Sequence, residues 1–182
     1  MNQAEILLTV GTDFHQFDRV IQWLDRWLEL NPGWQGKALC QHGASEPPVL
    51  ARGVDYLDND TLLASMRQAR AVITHGGPAT IFEARRQDHV PLCVPRHPAL
   101  EEHVDGHQQR FARFLADEGL VRLCLTWEDF ERELSRAVSL PRGESGVQEK
   151  MSAASASERL AELSYSLVRG AAPVRGWGWR RR

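Results

Sequence analysis

Ala71-Val-Ile-Thr74-His75-Gly76-Gly77-Pro78-Ala79-Thr80-Ile-Phe-Glu83-Ala84 is the stretch that decides the fold. Its first four residues read as a short buried strand. Two glycines and a proline end the strand, and a helix is predicted over Ala79 to Arg86. A strand that passes through a glycine turn into a helix is the repeating unit of a parallel α/β sheet. Ligands of such sheets bind beyond the carboxyl ends of the strands, and His75 to Thr80 fall there.

The same alternation extends outward in both directions. Upstream, Ile6-Leu-Leu-Thr-Val10 reads as a buried strand ending at Gly11, followed by Thr12 and Asp13 as candidate helix caps. Phe17, Val20, Ile21, Leu24, Trp27 and Leu28 recur at helical spacing, and Asn31-Pro32-Gly33 stops that helix. Strands are predicted over Lys37 to His42 and Val54 to Leu57, then a helix from Asp60 through Ala69. Downstream, Val90 to Val94 reads as a strand, Glu102 to Glu118 as a long helix, Leu120 to Leu125 as a last strand and Trp127 to Val138 as a helix. The expected fold is α/β, Rossmann-like, with a mostly parallel sheet and helices on both faces. Residues 1–140 form this domain. Residues 141–182 are predicted to be a Gly- and Ser-rich linker, a helix over Arg159 to Arg169 and a disordered basic tail, Arg175-Gly-Trp-Gly-Trp-Arg-Arg-Arg182.

Composition narrows the function. The 182 residues suit one domain with a tail, and 42% of them are hydrophobic, enough for a sizeable core. A formal net charge of −2 argues against a nucleic-acid partner. Cys40, Cys93 and Cys124 have no CxxC spacing and read as buried reduced thiols. No basic n-region or long apolar run suggests a signal peptide, and no run approaches the roughly 20 residues that span a bilayer. A cytoplasmic protein is expected, touching a membrane only peripherally or through a partner. For the tail, an anionic membrane surface facing Trp177, Trp179 and Arg180 to Arg182 is the alternative to a disordered end.

Two turns can hold a ligand. At Val10-Gly11-Thr12 a glycine permits close backbone approach and Thr12 adds a hydroxyl. At His75 to Thr80 the helix start presents amides without intrahelical partners, which together with the helix dipole favour a phosphate. Neither is a GxGxxG or Walker A loop. Each turn alone is also compatible with a bare strand-to-helix connection. Glu83 shares a helix face with Thr80, and its carboxylate can accept both hydroxyls of a ribose; a solvated charge is the alternative. Arg96 in the proline-containing loop can pair with a diphosphate or remain a surface charge. His103 and His107 are spaced for one helix face, a spacing that can bind zinc. Gly106 weakens that helix and no third ligand stands at motif spacing, so hydrogen bonding of a polar ligand by His103, His107 and Gln108 is preferred.

Three ordered segments, His75-Gly-Gly-Pro-Ala-Thr-Ile-Phe-Glu83-Ala84, Val90-Pro-Leu-Cys-Val-Pro-Arg96 and Glu102-His-Val-Asp-Gly-His-Gln108 with Phe111-Ala112, resemble the C-terminal, donor-binding domain of family 28 glycosyltransferases. Within it the chain most resembles the stand-alone bacterial form of exopolysaccharide and capsule synthesis, itself similar to the small catalytic subunit of the dolichol-linked UDP-N-acetylglucosamine transferase. Leu8-Thr-Val-Gly-Thr12 with Phe14 and Phe17 also resembles it, so the match spans roughly residues 5 to 135. The resemblance implies one Rossmann-like half of a GT-B enzyme. It implies that Gly11, Thr12, Gly76 and Gly77 face the diphosphate, assisted by Thr80, that Glu83 holds the ribose, and that Gln108 with His107 meets the sugar; His103 matches without an assigned role. It departs from the usual pattern where Ala79 stands in place of a common Gly, and Asp13 puts a carboxylate beside the phosphate turn.

The resemblance further implies a UDP-sugar donor, a membrane-associated acceptor-binding subunit and a lipid-linked saccharide acceptor, with inverting transfer and no cofactor. The lack of a DxD pair suggests no metal. The catalytic residue stays unassigned, with His15, His103 and His107 conceivable bases. Two other readings stay open: a non-catalytic nucleotide-sugar-binding or enhancer subunit, and an unrelated Rossmann-like enzyme of another nucleotide.

Overall fold

The computed structural model describes residues 4–140; the expected linker, the helix expected over Arg159 to Arg169 and the tail lie outside them. Six strands form one sheet: β1 (Ile6–Thr9), β2 (Ala38–Gln41), β3 (Arg52–Val54), β4 (Ala71–Thr74), β5 (Leu92–Cys93) and β6 (Arg122–Leu123). Their order is β3-β2-β1-β4-β5-β6 and every pairing is parallel. The chain winds outward from β1 to one edge, returns, and continues from β4 to the other. The switch point of this Rossmann-like topology therefore lies between β1 and β4, where Thr9 is opposite Thr74.

Five helices cover the sheet: α1 (Asp18–Leu30), α2 (Asn59–Gln68), α3 (Pro78–Arg86), α4 (His107–Asp117) and α5 (Trp127–Ser139). The alternation of β1 assigns its side chains to two cores. Ile6, Leu8 and Val10 pack with Leu24, Trp27 and Leu28 of α1 and Phe130 and Leu134 of α5. Leu7 faces the opposite core with Leu39, Val72, Met66 and Ala84, which brings in α2 and α3. Trp27 Nε1 donates to Ser135 Oγ at 3.0 Å, so this tryptophan of α1 is buried without leaving its polar atom unpaired. At the start of α5, Thr126 and Asp129 form a reciprocal capping box. The three cysteines are free and buried as expected, and burial pushes the Cys40 and Cys93 thiols up to about 12.

Two expectations shift. The third strand was expected over Val54 to Leu57, but it runs over Arg52–Val54. Beyond it His42 N–H donates to Val54 O and Gly43 N–H to Asp55 O, and the Leu57 amide turns instead to the Gln41 side chain at 3.2 Å. The long helix expected from Glu102 begins only at His107. Pro98–Leu100 forms a 3₁₀ turn, Glu101 takes a left-handed φ of 60°, and the Glu102 carboxylate turns inward as an acceptor for Arg19 and the His97 amide. Asp105 Oδ1 then accepts from the His107 amide at 2.9 Å and opens the helix there. His103 and His107 therefore do not share a helix. Among the described residues no helix is long and apolar enough to cross a membrane.

Candidate functional site

Both glycine turns leave the sheet at the switch point. Gly11 follows β1 and has φ 81°; Gly76 follows β4 and has φ 89°. Both values need glycine to avoid backbone strain. Gly11 has a second reason. A Cβ there would lie 2.5 Å from the His75 ring, and one on Gly77 would lie 2.3 Å from it. The imidazole thus lies flat in a slot between the two turns, and only glycines leave room for it. Burial, then the nearby Arg96 charge, lowers the His75 pKa to about 4, so the ring is neutral. Its Nδ1 is buried without a hydrogen-bond partner among the described residues.

Beyond His75 the chain enters α3. Pro78 occupies the first helical position, and the first intrahelical bond runs from the Ile81 amide to Gly77 O at 3.2 Å. The Ala79 and Thr80 amides precede it, and no side chain caps this helix start. Such a terminus carries partial positive charge and free donors. Thr80 and Glu83 are one turn apart on α3, and Glu83 is about one-third exposed with only Arg86 nearby, at 3.8 Å. The start of α4 closes the other side: Gln108 Cβ and Oε1 lie 3.4 Å from where a Gly76 Cβ would stand, and Oε1 accepts from the Arg96 amide at 3.3 Å.

Arg96 differs from its expectation. Its side chain is fully buried, with Nη1 donating to His15 O and Glu102 O at 2.7 and 2.9 Å, and Nη2 to Val10 O at 2.9 Å. The guanidinium also lies over the Phe17 ring, 4.9 Å from its centroid. A group so engaged cannot reach a diphosphate without unpairing three carbonyls. Arg96 is a clamp that fastens the 10–17 loop to the 97–102 segment.

Asp13 is likewise committed. Its Oδ1 accepts from the His15 amide at 2.8 Å and meets His15 Nδ1 at 2.6 Å, while Oδ2 lies 3.7 Å from His103 Nε2. Although burial opposes it, bonding to His15 and the Arg96 charge hold the Asp13 carboxyl below its ordinary range. Its carboxylate is engaged by His15 and lies near His103. His107 is exposed and its Nδ1 pairs with Asp105 at 2.9 Å. Thr12 is exposed at the tip of the first turn.

The structure therefore brings together Gly11, His75, Gly76, Gly77 and Gln108, with His103 joined to them through Asp13. Arg19 and Gln41 escaped sequence reading, and Glu102 was read only as a helix start. Arg19 forms a bidentate pair with buried Glu102, both contacts at 2.8 Å, and anchors α1 to the 97–102 segment. Gln41 donates to Gly11 O at 3.3 Å and accepts from the Leu57 amide, holding the first turn from β2. A polar residue at the end of an otherwise apolar strand was the available signal for Gln41; partners 83 residues apart left none for Arg19 and Glu102. A groove of about 810 Å³ lies between the loop after β1, the start of α1 and the segment after β5, bordered by Phe14, His15, Arg19 and Leu100. Among the described residues, no group of His, Cys, Asp and Glu is arranged to hold a metal ion.

Residues 6–166 match the family model described as the glycosyltransferase family 28 C-terminal domain. The fold is similar to the glycotransferase of kitacinnamycin, at 20% identity and a TM-score of 0.54, over 93% of this chain and 40% of that one. It is similar to CalG4, the calicheamicin glycosyltransferase, at 16% identity and a TM-score of 0.56, over 94% and 46%. It is also similar to MurG of Acinetobacter baumannii, at 16% identity and a TM-score of 0.54, over 93% and 51%. This chain thus spans between two fifths and about half the length of those three chains. No curated protein matches it.

Proposed function

This chain belongs to the glycosyltransferase family 28 C-terminal domain family, and we propose that it is the donor-binding half of a two-part glycosyltransferase. The observation that carries the reading is the pair of glycine turns at the switch point, with the uncapped start of α3 between them and the Glu83 face. The donor is a UDP-sugar. Its diphosphate lies against the Gly11 turn and the amides opening α3, with Thr80 beside them and the neutral His75 ring as a further donor. Glu83 accepts both ribose hydroxyls. Gln108 and His107, at the start of α4, meet the sugar.

The described residues form one Rossmann-like unit, and the reaction of a two-domain transferase takes place between two such units. In this proposal a second, membrane-associated subunit supplies the acceptor site and presents a lipid-linked saccharide. Transfer proceeds by direct displacement with inversion at the anomeric carbon. As the sugar–phosphate bond breaks, charge develops on the departing UDP, and the dipole and free amides of α3 stabilise it. No metal is required for that step. Arg96, engaged with three carbonyls, takes no direct part.

Thermal melting with and without nucleotides tests the donor assignment. A ligand at 100 times its Kd stabilises the native state by about 2.7 kcal/mol. UDP should raise the melting temperature by several degrees, ATP and NAD should not, and Glu83→Ala should lose most of the UDP effect. Stabilisation by NAD or ATP in place of UDP would return the protein to the wider class of nucleotide-binding Rossmann-like enzymes. UDP binding with no transfer to lipid in the presence of cognate membranes would leave a non-catalytic binding subunit.

A further inference from the structure

The loop after β1 holds a second piece of chemistry. Asp13 Oδ1 receives both the backbone N–H and the ring Nδ1 of His15. Accepting from Nδ1 fixes the tautomer with the proton on Nδ1 and leaves the lone pair on Nε2. Among the described residues His15 Nε2 makes no hydrogen bond, and the ring, one-fifth exposed, borders the 810 Å³ groove. Two rings flank it and the backbone is held as well: Phe14 stacks on it at 4.1 Å, the His103 ring lies 5.9 Å away, and Arg96 Nη1 donates to the His15 carbonyl at 2.7 Å. A histidine that only filled space would not need its backbone, its Nδ1 and its ring face each fixed.

We propose that His15 is the catalytic base of the transfer and that Asp13 is its positioning residue; the inference rests on the transferase reading above. The acceptor hydroxyl enters from the groove. Its O–H bond breaks and the proton passes to His15 Nε2. The oxygen lone pair forms the new bond to the anomeric carbon, and the bond from that carbon to the diphosphate oxygen breaks, its electrons leaving with UDP. The imidazolium formed is balanced by the Asp13 carboxylate 2.6 Å away and later releases its proton to water. The base and the leaving-group seat thus stand on the two central strands, one after β1 and one after β4. The other charged groups around His15 leave this balance intact: Asp18 and Arg19 come from α1, Glu101, Glu102 and His103 from the segment after β5, and Arg19 neutralises Glu102 directly.

The test uses the full-length chain added back to membranes of a source strain that lacks its gene. Radiolabelled UDP-glucose, UDP-galactose and UDP-N-acetylglucosamine are supplied in turn, and label is counted in solvent-extracted lipid. The native chain should incorporate one of the three sugars. His15→Gln should slow incorporation by about 100-fold or more, the range for a removed general base, while its melting temperature and its stabilisation by UDP stay unchanged. His15→Ala should regain rate on addition of imidazole. Asp13→Asn should slow incorporation by about tenfold. It should also move the acidic limb of the rate profile to lower pH, because the imidazolium loses its countercharge. His15→Gln within threefold of the native rate overturns the proposal, as does loss of UDP stabilisation together with the rate. An unchanged profile for Asp13→Asn removes its positioning role. A native chain that neither transfers any of the three sugars nor responds to UDP overturns the transferase reading itself.

Discussion

The two connections that leave the switch point are finished in opposite ways. After β1, nearly every polar group is engaged within the protein: Arg96 holds three carbonyls, Arg19 holds Glu102, and Asp13 holds His15. After β4, α3 starts without a cap and presents Thr80 and Glu83 with only a long contact to Arg86. The first connection is a scaffold of paired charges that leaves the His15 Nε2 lone pair toward the groove. The second is a surface whose donors and acceptors await a ligand. Buried polar groups that are fully satisfied give rigidity, whereas unsatisfied groups at a helix start give affinity.

The largest expected effect tests that contrast directly. Arg96→Ala strands the carbonyls of Val10, His15 and Glu102 and removes a countercharge of Asp13 and Glu102. Breaking a buried charged assembly by removing one partner costs about 3–5 kcal/mol, which for a domain of this size lowers the melting temperature by roughly 10 °C or more. Glu83→Ala removes only an exposed contact and should change stability by no more than about 0.5 kcal/mol. Urea unfolding of the two variants reads both numbers. Equal losses would mean that the two connections are not different in kind.

The fold was far more legible than the scaffold. Alternating apolar strands and 3.6-residue helices are local signals, and the run from Ala71 to Arg86 displays both within 16 residues. The glycine turns were legible for the same reason, since a strand, a turn and a helix start are adjacent in sequence. Arg96 was misread because a guanidinium beside a proline loop looks alike whether it meets phosphate or carbonyl oxygen. Its partners at Val10 and His15 are more than 80 residues away. Glu102 was read as helical because nothing local shows that its carboxylate turns inward to Arg19.

The His75 slot gives the next effect, which depends on pH. An unfolded histidine titrates near 6.5, while burial lowers the folded value to about 4. Between these limits the unfolded chain binds more protons, so stability rises with pH across this window and is lost as pH falls from 6.5 toward 4. The span corresponds to about 3 kcal/mol at most. Burial lowers His89 as well, and it contributes with the same sign. Asp13 acts in a separate window. Its folded pKa lies below 3.8, so its contribution is present above that value and declines only in stronger acid. Melting from pH 7 to pH 4.5 should therefore fall steeply in the native chain and less steeply in His75→Gln. Parallel curves would show that the ring is not held neutral between Gly11 and Gly77.

The smallest effect links the two regions. Gln41 reaches from β2 to Gly11 O, so it supports the one turn that belongs to both: it begins the scaffold loop and it borders the His75 slot. Gln41→Leu keeps the side-chain bulk but unpairs Gly11 O and the Leu57 amide. Losing two partly buried hydrogen bonds costs about 1–2 kcal/mol, less than the loss expected for Arg96→Ala. If the Gly11 turn only connects β1 to α1, that stability loss is the whole result. If it also seats a diphosphate, the freed carbonyl loosens the turn and UDP binding weakens as well. Calorimetric titration of UDP into Gln41→Leu, with Thr126→Ala as a variant of similar stability cost at the distant cap of α5, distinguishes the two. Weaker UDP binding in Gln41→Leu alone assigns the first turn to the donor site. Equal binding in both variants leaves the donor entirely to α3 and α4.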